Sequence, residues 1–242
     1  MRLFLSMLSG LALCIGSVQA QQEQFLQAQT AYDHGRYAEA ALQYETLIEQ
    51  GTANPEVHYN LANAYFKDRD LPKAVWHYRK AWYEMPRDPD LKANLHFALN
   101  AAGALDPTPS FANRILSTLS QSEWIITATS GYLLLLILLL LLPIKAARRM
   151  VLKLCLLPLG ILTLSGLGWL QWNQLKANPE YVVVQAEATA LFGPIAGSTA
   201  HFKMPIGALV RQRSNNGKGW IKVEYDHKQG WLKREYIALV SP

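Results

Sequence analysis

Residues 55–88 read PEVHYNLANAYFKDRDLPKAVWHYRKAWYEMPRD, and the same texture stands 34 residues earlier. At that offset Ala28 falls on Ala62, Tyr32 on Phe66, Tyr37 on Leu71, Ala40 on Ala74, Tyr44 on Tyr78 and Leu47 on Ala81. A period of this length marks stacked helix pairs. Small residues at Ala40 and Ala74 let two antiparallel helices approach, while Tyr44 and Tyr78 fill the groove between successive pairs. Asp33–Arg36 and Asp68–Asp70 supply a turn within each pair, and Asn54-Pro55 and Pro86–Pro89 separate one pair from the next.

These residues resemble the tetratricopeptide repeat. Tyr59-Asn60-Leu61-Ala62-Asn63-Ala64-Tyr65-Phe66, then Leu71, Ala74, Tyr78, Ala81 and Pro86, follow nearly the whole motif of that family. A first copy at about 21–54 departs from it at Gln27 and Thr52. A third begins at Pro89, where Asn94-Leu95 repeats Asn60-Leu61, and reads as a capping helix over 89–102 that closes a repeat domain at 21–104. The resemblance implies a concave, partner-binding face with Tyr59, Asn63, Phe66 and Lys67, and with Asn60 and Asn94 nearby. Asn amides there can hold the backbone of an extended peptide, or the same residues can serve helix packing alone. One subtype clamps a C-terminal carboxylate with Lys and Arg; Phe25, Tyr59 and Asn94 at the clamp-like positions argue against that ligand.

Beyond a linker at 105–123 the texture changes. Trp124 to Leu142 and Leu154 to Trp172 are each uncharged and long enough, at about 1.5 Å per residue, to cross a hydrocarbon layer of about 30 Å. The loop at 143–153 carries Lys145, Arg148, Arg149 and Lys153 with no acid. Short loops rich in positive charge stay in the cytoplasm, so a transmembrane hairpin with both flanks outside is expected. Trp124, Trp169 and Trp172 fall at its outer boundary, the headgroup level that indoles favour. Residues 1–20, with Arg2, the apolar run Leu3–Ile15 and Val18-Gln19-Ala20, have the three zones of a secretory signal peptide cleaved after Ala20. Cys14 leaves with it, and Cys155 alone can form no disulfide within the chain.

From Tyr181 onward short β-type runs at Tyr181–Val184, Leu209–Arg213, Trp220–Tyr225 and Gly230–Leu232 alternate with turn residues. Gly219-Trp220-Ile221-Lys222-Val223 and Gly230-Trp231-Leu232, one hairpin apart, resemble a bacterial SH3-type domain over 177–242. That likeness implies a small all-β barrel with Trp220 and Trp231 as candidate binding residues, its ligand a cell-wall component, a partner protein or nothing.

The net charge of +5 divides into −4 for residues 21–123 and +4 each for 124–173 and 174–242, with +1 from Arg2. No segment joins a basic face to base-stacking aromatics, so no nucleic acid is expected as a partner. The opposite signs of the two exported modules suggest that they touch, in an association that weakens as salt rises. His34, His58, His77, His96, His201 and His227 are scattered, no two at helical ligand spacing, and no phosphate loop, nucleophile elbow or HExxH motif occurs. Neither an enzyme, a metal nor a cofactor is expected.

The order of export signal, all-α repeats, α-helical transmembrane hairpin and terminal all-β SH3-like barrel makes a multi-domain membrane protein. It resembles the BatE proteins of the bacterial aerotolerance (Bat) operons. The resemblance implies an interaction scaffold on the periplasmic side of the inner membrane. Its partners would be von Willebrand factor A-type Bat proteins and a MoxR-type ATPase. A peptidoglycan-binding sensor or anchor is the other reading of the same order.

Overall fold

The computed structural model of the chain describes residues 19–106, 111–145 and 148–240. Nearly all of the expected signal peptide therefore lies outside the described residues. Five helices come first: α1 at 19–33, α2 at Tyr37–Glu49, α3 at Pro55–Lys67, α4 at Leu71–Glu84 and α5 at Pro89–Ala101.

The separators read in the sequence act as helix caps. Asn54 accepts from Val57 N at 2.8 Å with Pro55 at the first helical position, and Asp88 does the same for Leu91 N at 2.8 Å before Pro89. Asp70 caps α4 through Lys73 N at 3.3 Å. The helices end on left-handed residues at the repeat spacing: Gly35 at φ 75°, Arg69 at φ 66° and Gly103 at φ 67°. Glycine takes that conformation without a Cβ penalty; at Arg69 the second repeat tolerates it in a bulkier residue. Ala28, Ala40, Ala62, Ala74 and Ala98 are fully buried between helices, with Tyr44, Leu47, Leu61, Tyr78 and Leu99 filling the core.

A short helix α6 (Phe111–Leu116) leads to α7 (Gln121–Leu140), which opens with a capping box between Ser120 and Glu123. The expected loop at 143–153 is corrected in part: Arg148, Arg149 and Lys153 lie on a helix, α8 (Arg148–Leu154), and α9 (Leu156–Ala177) follows with Cys155 between them. α7 and α9 pack antiparallel: a Cβ at Gly131 would stand 2.9 Å from Ile161 Cγ2, and one at Gly168 only 2.3 Å from the Trp124 ring. The buried positions of this pair are Trp124 and Gly131 on α7 and Pro158, Ser165, Gly168 and Trp172 on α9. Leucines and isoleucines point away; only 11% and 22% of the most apolar windows are buried. By length and composition both helices could cross a membrane.

The expected Trp belt is corrected in part. Trp169 is exposed, but Trp172 is 1% exposed and packs edge-on against Tyr83 of α4, with ring centroids 5.7 Å apart. Trp124 is buried and donates Nε1–H to the Leu116 carbonyl. Two of the three indoles thus join the hairpin to the protein around it.

Among the described residues seven strands follow: β1 (Glu180–Val183), β2 (Ala188–Leu191), β3 (Ala200–Met204), β4 (Leu209–Asn215), β5 (Trp220–Tyr225), β6 (Lys228–Lys233) and β7 (Ile237–Leu239). They form one antiparallel sheet in the order β3-β2-β6-β5-β4-β1-β7. The expected closed barrel is not shown: β3 and β7 end the sheet without pairing to each other, and the sheet is open. Asp226 and His227, at φ 49° and 59°, make the tight β5–β6 hairpin. Gly230 is required by close packing, since a Cβ there would lie 2.7 Å from Ala190 Cβ.

The sheet domain sits on α4. Glu180 of β1 is 4% exposed; it accepts from Arg79 Nε at 2.5 Å and Nη2 at 3.3 Å and from the Tyr83 hydroxyl at 3.2 Å. Trp76 Nε1 donates to the Leu239 carbonyl at 2.7 Å, the Tyr225 hydroxyl accepts from Leu105 N at 3.1 Å, and Gly207 abuts Ala102. The end of the repeat stack is thus covered by sheet. The two modules do touch, but the buried pair reverses their net charges: the cation comes from the acidic repeat and the anion from the basic sheet domain.

Candidate functional site

The residues assigned to the concave face lie on α3 and α5. Asn94 Nδ2 donates to the Tyr59 hydroxyl at 2.9 Å and to Asn63 Oδ1 at 3.1 Å, and Asn63 Oδ1 also accepts from the Tyr78 hydroxyl at 2.6 Å. Both N–H groups of Asn94 and both lone pairs of Asn63 Oδ1 are consumed. This chain joins α3, α4 and α5, each bond contributing about 1 kcal/mol. Burial raises the Tyr59 and Tyr78 phenols above their ordinary pKa, so both remain neutral donors and acceptors. Of the six repeat candidates, three therefore serve packing through these atoms. Phe66 packs half-buried against the core, while Asn60 is half-buried and Lys67 exposed. Phe25, at a clamp-like position, stands edge-on to Tyr44 at 5.6 Å.

The other two candidates share one face of the sheet. Trp220 pairs across strands with Lys233, and Lys222 with Trp231, while Ile221, Val223 and Leu232 turn inward. Trp220 breaks the polar alternation of β5 because it stands on the outer face among lysines. It borders two shallow depressions, one with Lys218, Lys233, Arg234 and Glu235, the other with Glu187, Thr189 and Tyr236. The result is a half-buried aromatic face bordered by charges of both signs, with Lys233 Nζ paired to Glu235 at 3.2 Å.

The structure also brings together a pair that sequence spacing left apart. His58 and His77 are buried at 8% and 6% exposure, with Nδ1 to Nδ1 at 2.9 Å. They are nineteen residues apart, on facing sides of the α3–α4 hairpin; folding the sequence about the Asp68–Asp70 turn is the signal that reveals them. Tyr65 stacks on His77 and donates to Glu45. Among the described residues no group of three or more His, Cys, Asp or Glu stands where it could hold a metal ion.

Residues 25–90 match the family model described as tetratricopeptide repeat. The match covers the helices that carry the concave-face residues up to α4, and the family is a protein-binding module. No curated protein matches the chain.

Proposed function

We propose that the chain is a non-enzymatic, membrane-anchored scaffold for protein partners. In this reading α7 and α9 form a two-span hairpin, its basic loop lies in the cytoplasm, and the repeat and sheet domains face the periplasm from a bacterial inner membrane. The observation that carries it is the inverted burial of the hairpin: Gly131, Ser165 and Gly168 occupy the seam while leucines face outward. Small residues inside and large apolar ones outside is how helices pack in lipid, where exposed leucine has no cost. By domain order the chain is a BatE-like component of a Bat envelope complex involved in aerotolerance or stress tolerance. Its partners are then von Willebrand factor A-type Bat proteins and the MoxR-associated system. The SH3-like identity of the sheet domain belongs to the same proposal, its open sheet being the departure from that pattern.

With Asn63 Oδ1 and Asn94 Nδ2 engaged internally, partner recognition is assigned first to Asn60, Phe66 and Lys67. Full-length protein isolated from native membranes in mild detergent is expected to bring down a von Willebrand factor A-type protein, and Lys67→Glu to lower that recovery about tenfold. Equal recovery with Lys67→Glu and wild type would remove this face from the proposal. The Trp220–Lys233 and Lys222–Trp231 platform favours a second reading, a peptidoglycan anchor, in which indoles stack on sugars and ammonium groups meet peptide carboxylates. In the same preparation, retention on purified sacculi at moderate salt that is lost in Trp220→Ala/Trp231→Ala would support the anchor; no retention would eliminate it.

A further inference from the structure

The Nδ1–Nδ1 contact between His58 and His77 exists only when one imidazole donates N–H and the other accepts with a bare nitrogen. Around the pair stand Lys73 and Lys80 from α4, Tyr65 of α3 with Glu45 of α2 behind it, and Asp70, whose carboxylate lies 3.6 Å from Lys73 Nζ. Among the described residues no carboxylate is hydrogen-bonded to either imidazole. A first added proton places a buried positive charge near two lysines. A second sets two N–H groups against each other with nothing to accept them.

Trp76, next to His77 in sequence, connects this pair to the other domain. Its indole stands edge-on to His77 and His58, with centroids 4.4 and 6.4 Å away, and carries Lys80 Nζ 4.2 Å from its centroid. Its Nε1–H donates to the carbonyl of Leu239, the last residue of β7. Since β7 is an edge strand paired to β1 alone, this bond fastens the open edge of the sheet to the repeat.

We propose that His58, His77 and Trp76 form a proton-sensitive latch: the neutral pair holds Trp76 against β7, and protonation of the pair releases the sheet edge from α4. The direction is set by burial, which with the Lys80 charge pushes His58 from 6.5 down to about 4 and His77 well below its ordinary value. The unfolded chain binds more protons than the folded one between those limits. The closed state is therefore fully stable above about pH 6.5 and weakens as pH falls toward 4.

Hydrogen exchange on the purified full chain in mild detergent, corrected for intrinsic rates, tests this. Between pH 7 and pH 4.5, amides of α4 and of 237–240 are expected to exchange about tenfold faster, reversibly, while β4, β5 and the α7–α9 hairpin hold. His58→Leu/His77→Phe, which cannot take the proton, is expected to abolish the response. Should that pair fail to fold, His58→Gln keeps a neutral donor toward His77 and is expected to weaken the response at least threefold. Trp76→Phe is expected to loosen 237–240 already at pH 7. The latch is overturned by unchanged protection of 237–240 at pH 4.5, by loss of protection over the whole chain at once, or by a wild-type response in the histidine variant that folds. This last outcome would assign the effect to a group outside the histidine pair.

Discussion

Arg79→Ala is expected to destabilise the folded chain by about 3–5 kcal/mol, and to do so by freeing the sheet domain from the repeat. Arg79 is 13% and Glu180 4% exposed, so the substitution leaves a buried carboxylate whose remaining side-chain hydrogen bond, among the described residues, is from the Tyr83 hydroxyl. Burial works against the guanidinium charge, but Glu180 outweighs it and holds Arg79 above its ordinary pKa. Arg79 also lies over the Trp82 ring at 4.1 Å, so truncation removes packing as well as charge. The double variant Arg79→Met/Glu180→Leu is expected to recover most of the loss, because removing both charges removes the desolvation cost too. Denaturant unfolding of full-length protein in mild detergent checks both. A single variant that unfolds like wild type would show that the two domains do not depend on this pair. Raising salt is expected to change the interface little, since a buried pair is poorly screened.

The second large effect concerns the hairpin. Gly168→Ala is expected to lower the stability of the α7–α9 pair by about 1–3 kcal/mol, since its methyl group would have to occupy space held by the Trp124 indole 2.3 Å away. Trp124 cannot swing aside freely: its Nε1 is hydrogen-bonded to Leu116 and its ring is buried. Gly160→Ala and Gly166→Ala are internal controls, for a Cβ at either position meets open space. Both are expected to melt within about 0.5 kcal/mol of wild type in detergent, or slightly higher, as Ala favours helix over Gly. Equal melting of Gly168→Ala and Gly160→Ala would contradict the packing of the hairpin described above.

Much of this architecture was legible because it is periodic or extreme. The 34-residue offset announced the helix pairs, and the structure adds Gly35, Arg69 and Gly103 at the same spacing. The uncharged runs announced two apolar helices, and the Trp220–Tyr225 strand announced itself by alternation. The strands Ala188–Leu191, Ala200–Met204 and Ile237–Leu239 did not, because they are short or alanine-rich edge and near-edge elements with little alternating pattern. The interface was illegible for a different reason. Arg79 and Glu180 are 101 residues apart, and net charges predicted the opposite polarity, whereas a buried contact is decided by two side chains. The candidate face was legible in composition, but not the hydrogen bonds within it: Asn94 Nδ2 to the Tyr59 hydroxyl and to Asn63 Oδ1 link residues 35 and 31 positions apart, which no local pattern announces.

The proposed membrane hairpin presents the repeat and the sheet domain on the same, outer side. Topology reporters joined after Leu105, at Ala147 and after Pro242 measure it most directly. The expected result is outside, inside, outside; an inside reading at Leu105 or Pro242, or an outside reading at Ala147, would contradict it.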